Sequence, residues 1–131
     1  MEEFANASRG QPVVLRRAMD GGRAAHLERV AAARIPVEKI AAPVLLVGGG
    51  DDQVWDSAGM ARAIAARRAE FKLPTTVLIY PDAGHGVTDH GWNPTTTYKD
   101  SFMLLGGRPE ADARAQADAW PQLLSFLRAS L

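Results

Sequence analysis

The sequence predicts an α/β fold: a parallel strand–helix–strand unit closed by a carboxy-terminal helix. Three stretches carry that expectation. "PVLLVGGGDD" (43–52) is an apolar run ending in three glycines, "SAGMARAIAARRAEF" (57–71) repeats apolar residues at helical spacing, and "TTVLIY" (75–80) is a second β-rich run. Val44 to Val47 are continuously apolar, the pattern of a strand covered on both faces in a parallel sheet. Strand, helix and strand in succession form a right-handed crossover by default.

Taken in order, residues 1–19 mix polar residues with the short run "PVVL" and read as a loop with a short extended piece. Residues 20–33 carry Ala25, Leu27, Val30 and Ala31 near helical spacing and predict a helix, which Pro36 stops. "IPVEKI" reads as a turn leading to Pro43. In the helix over 57–71, Ser57 or Asp56 serves as N-cap, and Met60, Ile64 and Phe71 form the apolar stripe. Residues 86–108 are loop-rich. Residues 109–130 predict a closing helix with Pro109 in its first turn, interrupted by Pro121, which kinks or splits it. Residues 1–34 read as a lead-in, and 35–131 as the domain proper.

Composition narrows the function classes. At 131 residues the chain fits one domain or a piece of one, and 47% hydrophobic residues is too many for a disordered chain. Lys plus Arg and Asp plus Glu are both 15, with no basic stripe, so nucleic-acid binding has little support. The absence of cysteine removes disulfides, thiolate metal sites and a cysteine nucleophile from this stretch of sequence. The amino terminus is acidic and polar, unlike a signal peptide, and the longest apolar run, "AAPVLLV", is too short to span a bilayer. A soluble, cytoplasmic protein with no membrane partner is the expectation.

The residues that carry chemistry follow the two strands. Asp52 comes just after the first and His85, in "YPDAGHGV", just after the second. Neighbouring parallel strands bring their carboxyl ends to one sheet edge, where the sites of open α/β sheets lie. The 33 positions between Asp52 and His85 then collapse to side-chain contact, the arrangement in which a carboxylate orients an imidazole. Alone, Asp51 and Asp52 read more readily as turn residues, since Gly and Asp dominate turns, and it is the pairing with His85 past the second strand that favours the functional reading. Asp89 and His90 leave a metal site with Asp52 and His85 open, although no ligand spacing backs it. Trp55 and Trp92 flank the pair and suit either a pocket wall or the core; Trp120 reads as core, and His26 as a structural or surface residue on a helix.

At these residues the chain resembles a known family. "IPVEKIAAPVLLVGGGDDQVWDS", "YPDAGHG" and "GGRPEADARAQADAWPQLLSFL" are similar, in order and spacing, to the carboxy-terminal region of the acyl-CoA thioesterase / bile acid-CoA:amino acid N-acyltransferase (BAAT) family. These are α/β-hydrolases, with dienelactone hydrolases among their relatives. The resemblance covers roughly residues 35–131 and implies the carboxy-terminal portion of an α/β-hydrolase fold with a partial sheet. It implies that Asp52 and His85 are the acid and base of a catalytic triad. It also implies a serine nucleophile, or a cysteine in the acyltransferases, on a strand-to-helix elbow well upstream. The family commonly has glycine where "PDAGHG" has Asp82, and proline where "WDS" has Asp56.

No such elbow is present. The serines are Ser8, Ser57, Ser101, Ser125 and Ser130, and none sits in a Gly-x-Ser-x-Gly pattern. His85 is expected to serve a nucleophile that these 131 residues do not encode. The resemblance implies acyl-CoA or another thioester or ester as substrate of the complete enzyme, no metal or redox cofactor, and acyl-chain selectivity in the loop 87–98. Two strands lack partners of their own, so a homodimer or a complementing amino-terminal hydrolase half is expected. The alternative is a non-catalytic fragment or pseudoenzyme acting in binding or oligomerisation.

Overall fold

The computed structural model describes residues 2–88 and 103–131. Helices α1 (Glu2–Ser8), α2 (Leu15–Ala25) and α3 (Leu27–Ala33) precede strand β1 (Val44–Gly49), helix α4 (Ser57–Glu70), strand β2 (Thr75–Tyr80) and helix α5 (Pro109–Ser130). Strands β1 and β2 pair in parallel, with Val44 opposite Thr75 and Gly49 opposite Tyr80. This is the strand–helix–strand unit expected from the sequence, with the long closing helix after it.

The elements differ from expectation in instructive places. Residues 1–19, expected as a loop, are largely helical among those described: α1 and the start of α2 occupy most of them, and the short extended piece is reduced to Val13, which bridges to Met103. The helix expected over 20–33 begins at Leu15 and breaks at His26, whose φ of -134° leaves helical geometry. Helix α5 runs unbroken through Pro121, so proline neither splits it nor ends it. Phe71 lies just outside α4, at its C-cap.

Burial follows size as much as hydropathy. The core cluster is Ala83, Val87 and Ala115, with Val47 and Tyr80 packed against it. On α5 the buried positions are Ala111, Ala115 and Ala119, one stripe at four-residue spacing. Alanines there let the helix approach the segment after β2 closely. Trp120, expected in the core, is 37% exposed, because its position next to Ala119 turns it off that stripe.

Helix α4 reverses the expected faces. Its buried residues are Ala58, Ala61 and Arg68, whereas Met60 and Phe71 are exposed. Met60 and Ile64 line an open apolar groove of ≈ 660 Å³ together with Val30 and Ile35. Arg68 is 0% exposed, and its hydrogen bonds go to carbonyls and a hydroxyl. Its guanidinium donates to the carbonyls of Val37, Ile40, Ala42 and Pro74 and to Thr75 Oγ1, at 2.7–3.1 Å. One side chain thereby ties α4 to the entries of both strands.

Val44 to Val47 are half-buried rather than covered on both faces. With β1 paired to β2 alone among the described residues, the sheet has too few layers to enclose them.

Candidate functional site

The site forms where both strands end. Gly49 and Gly50 carry the chain out of β1 against the segment leaving β2: Gly50 N–H donates to the Tyr80 carbonyl at 2.9 Å, and Asp51 N–H to the Ala83 carbonyl at 3.0 Å. A side chain at Gly49 would collide with the carbonyl oxygens of Ala83 and Gly84, so the close approach requires glycine.

Asp52 is 1% exposed. Its Oδ1 accepts hydrogen bonds from the amides of Val54 (2.8 Å) and Trp55 (3.2 Å), a local turn that fixes the carboxylate. Its Oδ2 lies 3.1 Å from Nδ1 of His85. The two residues therefore meet across 33 positions of sequence. An ionised carboxylate only accepts, so the contact is a hydrogen bond in the tautomer that carries its proton on Nδ1. Trp55 stands edge-on to the imidazole, with ring centroids 4.5 Å apart and planes at 87°. At 42% exposed, it walls the site rather than filling the core.

His85 opens a short 3-10 turn, His85–Thr88, and is held from two sides. Its amide donates to the Leu105 carbonyl at 2.9 Å. Helix α5 supplies Asp112 Oδ1, which accepts from the Gly84 amide at 2.7 Å, and Gln116 Nε2, which donates to the Gly86 carbonyl at 2.8 Å. The return segment closes the loop bearing Asp52: Asp52 bridges antiparallel to Gly106, and the Gly107 amide donates to Asp51 Oδ2 at 3.0 Å. Gly106 and Gly107 have φ of 76° and 72°, a region that favours glycine.

Two helices complete the surroundings. Asp56, not Ser57, caps α4, accepting from the Gly59 amide at 3.2 Å. Ser57 Oγ instead bonds Gly49, accepting from its amide and donating to its carbonyl, both at 3.1 Å. From α2, Arg16 donates to the Asp52 carbonyl at 3.0 Å and to Asp56 Oδ1 at 2.9 Å. Sequence reading missed Arg16, Asp112 and Gln116. An arginine in "LRRAM" carries no spacing signal that points 36 residues ahead.

Three expectations fall on residues outside those described: the metal ligands Asp89 and His90, the flanking Trp92, and most of the loop 87–98. Among the described residues, no group of three or more acidic or histidine side chains could hold a metal ion. His26 lies between α2 and α3, exposed, with Nδ1 3.6 Å from Glu28.

Residues 14–131 match the family described as BAAT / Acyl-CoA thioester hydrolase C terminal. The chain belongs to this family. Its fold is the α/β-hydrolase carboxy-terminal region expected of a BAAT carboxy-terminal domain. The chain is 31% identical to acyl-coenzyme A thioesterase 6 of Homo sapiens over 102 residues, covering 74% of this chain and 24% of that protein. It is 35% identical to acyl-coenzyme A thioesterase 5 of Mus musculus over 102 residues, with the same two coverages. It is 35% identical to the peroxisomal succinyl-coenzyme A thioesterase of Mus musculus over 97 residues, 70% of this chain and 23% of that one. The chain thus spans about a quarter of the length of these relatives. Relatives named as peroxisomal and mitochondrial leave the expected cytoplasmic location without support from the family. No helix of the described residues is long and apolar enough to cross a membrane.

Proposed function

We propose that this chain supplies the acid–base half of an acyl-CoA thioester hydrolase, with His85 as general base and Asp52 as its orienting carboxylate. The observation that carries the reading is the 3.1 Å contact between His85 Nδ1 and Asp52 Oδ2 at the shared carboxyl edge of two parallel strands. Membership of a family whose relatives are acyl-CoA thioesterases supports the substrate class.

The chemistry follows from which ring nitrogen is engaged. With Nδ1–H bonded to Asp52, Nε2 is the nitrogen that handles protons. It takes the proton of a hydroxyl nucleophile contributed from outside residues 1–131 as that oxygen attacks the thioester carbonyl. The carbon–sulfur bond breaks, and the same proton passes to the departing coenzyme A sulfur. Nε2 next takes a proton from water as the water attacks the acyl-enzyme, then returns it to the nucleophile oxygen as the acid is released. Asp52 stabilises the imidazolium formed in both halves.

Two of the described serines are engaged elsewhere. Ser57 Oγ is engaged with Gly49, and Ser8 Oγ donates to the Ala5 carbonyl. A complementing hydrolase half would bring the nucleophile and pair with the open edge of β1.

The test is hydrolysis of an acyl-CoA series by the chain alone and after co-expression with the upstream region of a related thioesterase. The expected result is no turnover alone and turnover when complemented. In the complemented enzyme, His85→Ala should abolish turnover and Asp52→Asn should lower it by about 10⁴-fold. Complemented turnover indifferent to both substitutions would sink the assignment. Turnover by the chain alone that vanishes in both would place the nucleophile within it. A stably folded chain that no upstream half activates would favour a binding or oligomerisation module.

A further inference from the structure

Asp52 reaches His85 from a loop, so its aim is only as good as the hold on the loop's backbone. The turn through Val54 and Trp55 orients the carboxylate relative to its own residues, but it does not anchor that turn to the rest of the fold. Backbone bonds hold the loop on one side, from Asp51 to Ala83, from Gln53 to Leu105 and across the Asp52–Gly106 bridge, and α2 supplies the side-chain anchor on the other. Arg16 Nη1 donates to the Asp52 carbonyl at 3.0 Å, Nη2 donates to Asp56 Oδ1 at 2.9 Å, and the Arg16 amide donates to the Gln53 carbonyl at 2.9 Å. Asp20, one turn along α2, sits 3.5 Å from Nε and steadies the guanidinium from behind.

We propose that Arg16 is a positioning residue for the Asp52–His85 pair, clamping the loop from Asp52 to Asp56 so that Oδ2 faces Nδ1. The proposal rests on the reading of that pair as the proton-handling couple, and it gives the segment ahead of β1 a part in the site. The geometry calls for arginine: a planar fork bridges two acceptors at a set separation, which a single ammonium does not do. The grip falls on the Asp52 carbonyl, so it sets the orientation of the peptide from which the side chain projects. A displacement of about 1 Å in such a pair costs roughly 10²-fold in rate. Arg17 is an internal contrast. Its side chain is 67% exposed and pairs with Glu3, at 3.5 Å, away from the Asp52 loop.

The experiment reads the tautomer of His85 in the full chain by ¹⁵N–¹H correlation of the imidazole at alkaline pH, with His85→Ala identifying the signals. The wild-type chain should carry its proton on Nδ1, and Asp52→Asn should move it to Nε2. Arg16→Gln should give a mixture in which Nε2–H gains at the expense of Nδ1–H. Arg16→Lys, which keeps the charge but not the fork, should do the same, and Arg17→Gln should match wild type. A wild-type pattern in a folded Arg16→Gln or Arg16→Lys chain would overturn the clamp and leave the pair standing. A wild-type chain without the Nδ1 proton would overturn the pair itself. Loss of folded structure in both Arg16 variants, seen by circular dichroism, would also overturn the proposal, because Arg16 would then hold the fold rather than the pair.

Discussion

Gly49 and Gly84 meet backbone to backbone where the chain leaving β1 passes the chain leaving β2, with no room between them for a methyl group. The crossing sets how far Asp52 stands from His85, because each residue follows its glycine within a few positions. Gly49→Ala should therefore destabilise the fold by about 1–3 kcal/mol through overpacking. It should also disturb the His85 tautomer. Urea unfolding and the imidazole spectrum check both, and an unchanged unfolding midpoint would show that the crossing is looser than the geometry implies.

Arg68 offers a second test, at the opposite end of the sheet. Replacing it with Met fills much of the volume but leaves the Ile40 and Ala42 carbonyls and the Thr75 hydroxyl without this donor. Each of the five hydrogen bonds lost contributes roughly 0.5–1.5 kcal/mol or more, so Arg68→Met should lose at least about 2 kcal/mol in urea unfolding. A loss under about 1 kcal/mol would show that water replaces the guanidinium there.

Proline inside α5 gives a prediction of opposite sign. Pro121 interrupts the hydrogen-bond ladder of a helix that otherwise runs 22 residues. Pro121→Ala should stabilise the chain, by up to about 3 kcal/mol. A lower melting temperature in this variant would mean that the proline itself is needed to keep Ala111, Ala115 and Ala119 against the core.

Tyr80 makes stability depend on alkaline pH. Burial, followed by the hydrogen bond from its hydroxyl to Asp118 Oδ2 at 2.7 Å, pushes its pKa well above the ordinary tyrosine value. The folded state thus retains the phenol proton after the unfolded state has begun to lose it. The contribution of Tyr80 is complete below about pH 10 and falls as pH rises beyond that toward the folded value. Tyrosinate absorbance should show one of the two tyrosines titrating late. Tyr80→Phe should remove that late step and flatten the loss of stability above about pH 10. A late step that survives the substitution would assign it to Tyr98 instead.

The sequence by itself determined the alternation of strand, helix and strand, the closing helix, and the placing of Asp52 and His85 just past two parallel strands. Those features are local: apolar runs, helical periodicity and glycine-rich exits depend on neighbouring residues, and the family motifs lie in the same stretches. The lead-in was less legible, because α2 and α3 bury no residue and have no core-facing stripe to announce their bounds. On α4 the apolar stripe misled. A guanidinium ringed by carbonyls took the interior position, while Met60 faces a groove. Only the tertiary structure decided that Arg16 grips the loop of Asp52, that Asp112 and Gln116 hold the turn of His85, and that Arg68 joins both strand entries. Each of these is a polar side chain satisfied by a backbone group far along the chain. No periodicity records such a pairing, because any residue's carbonyl or amide will serve and only the fold determines which one is near.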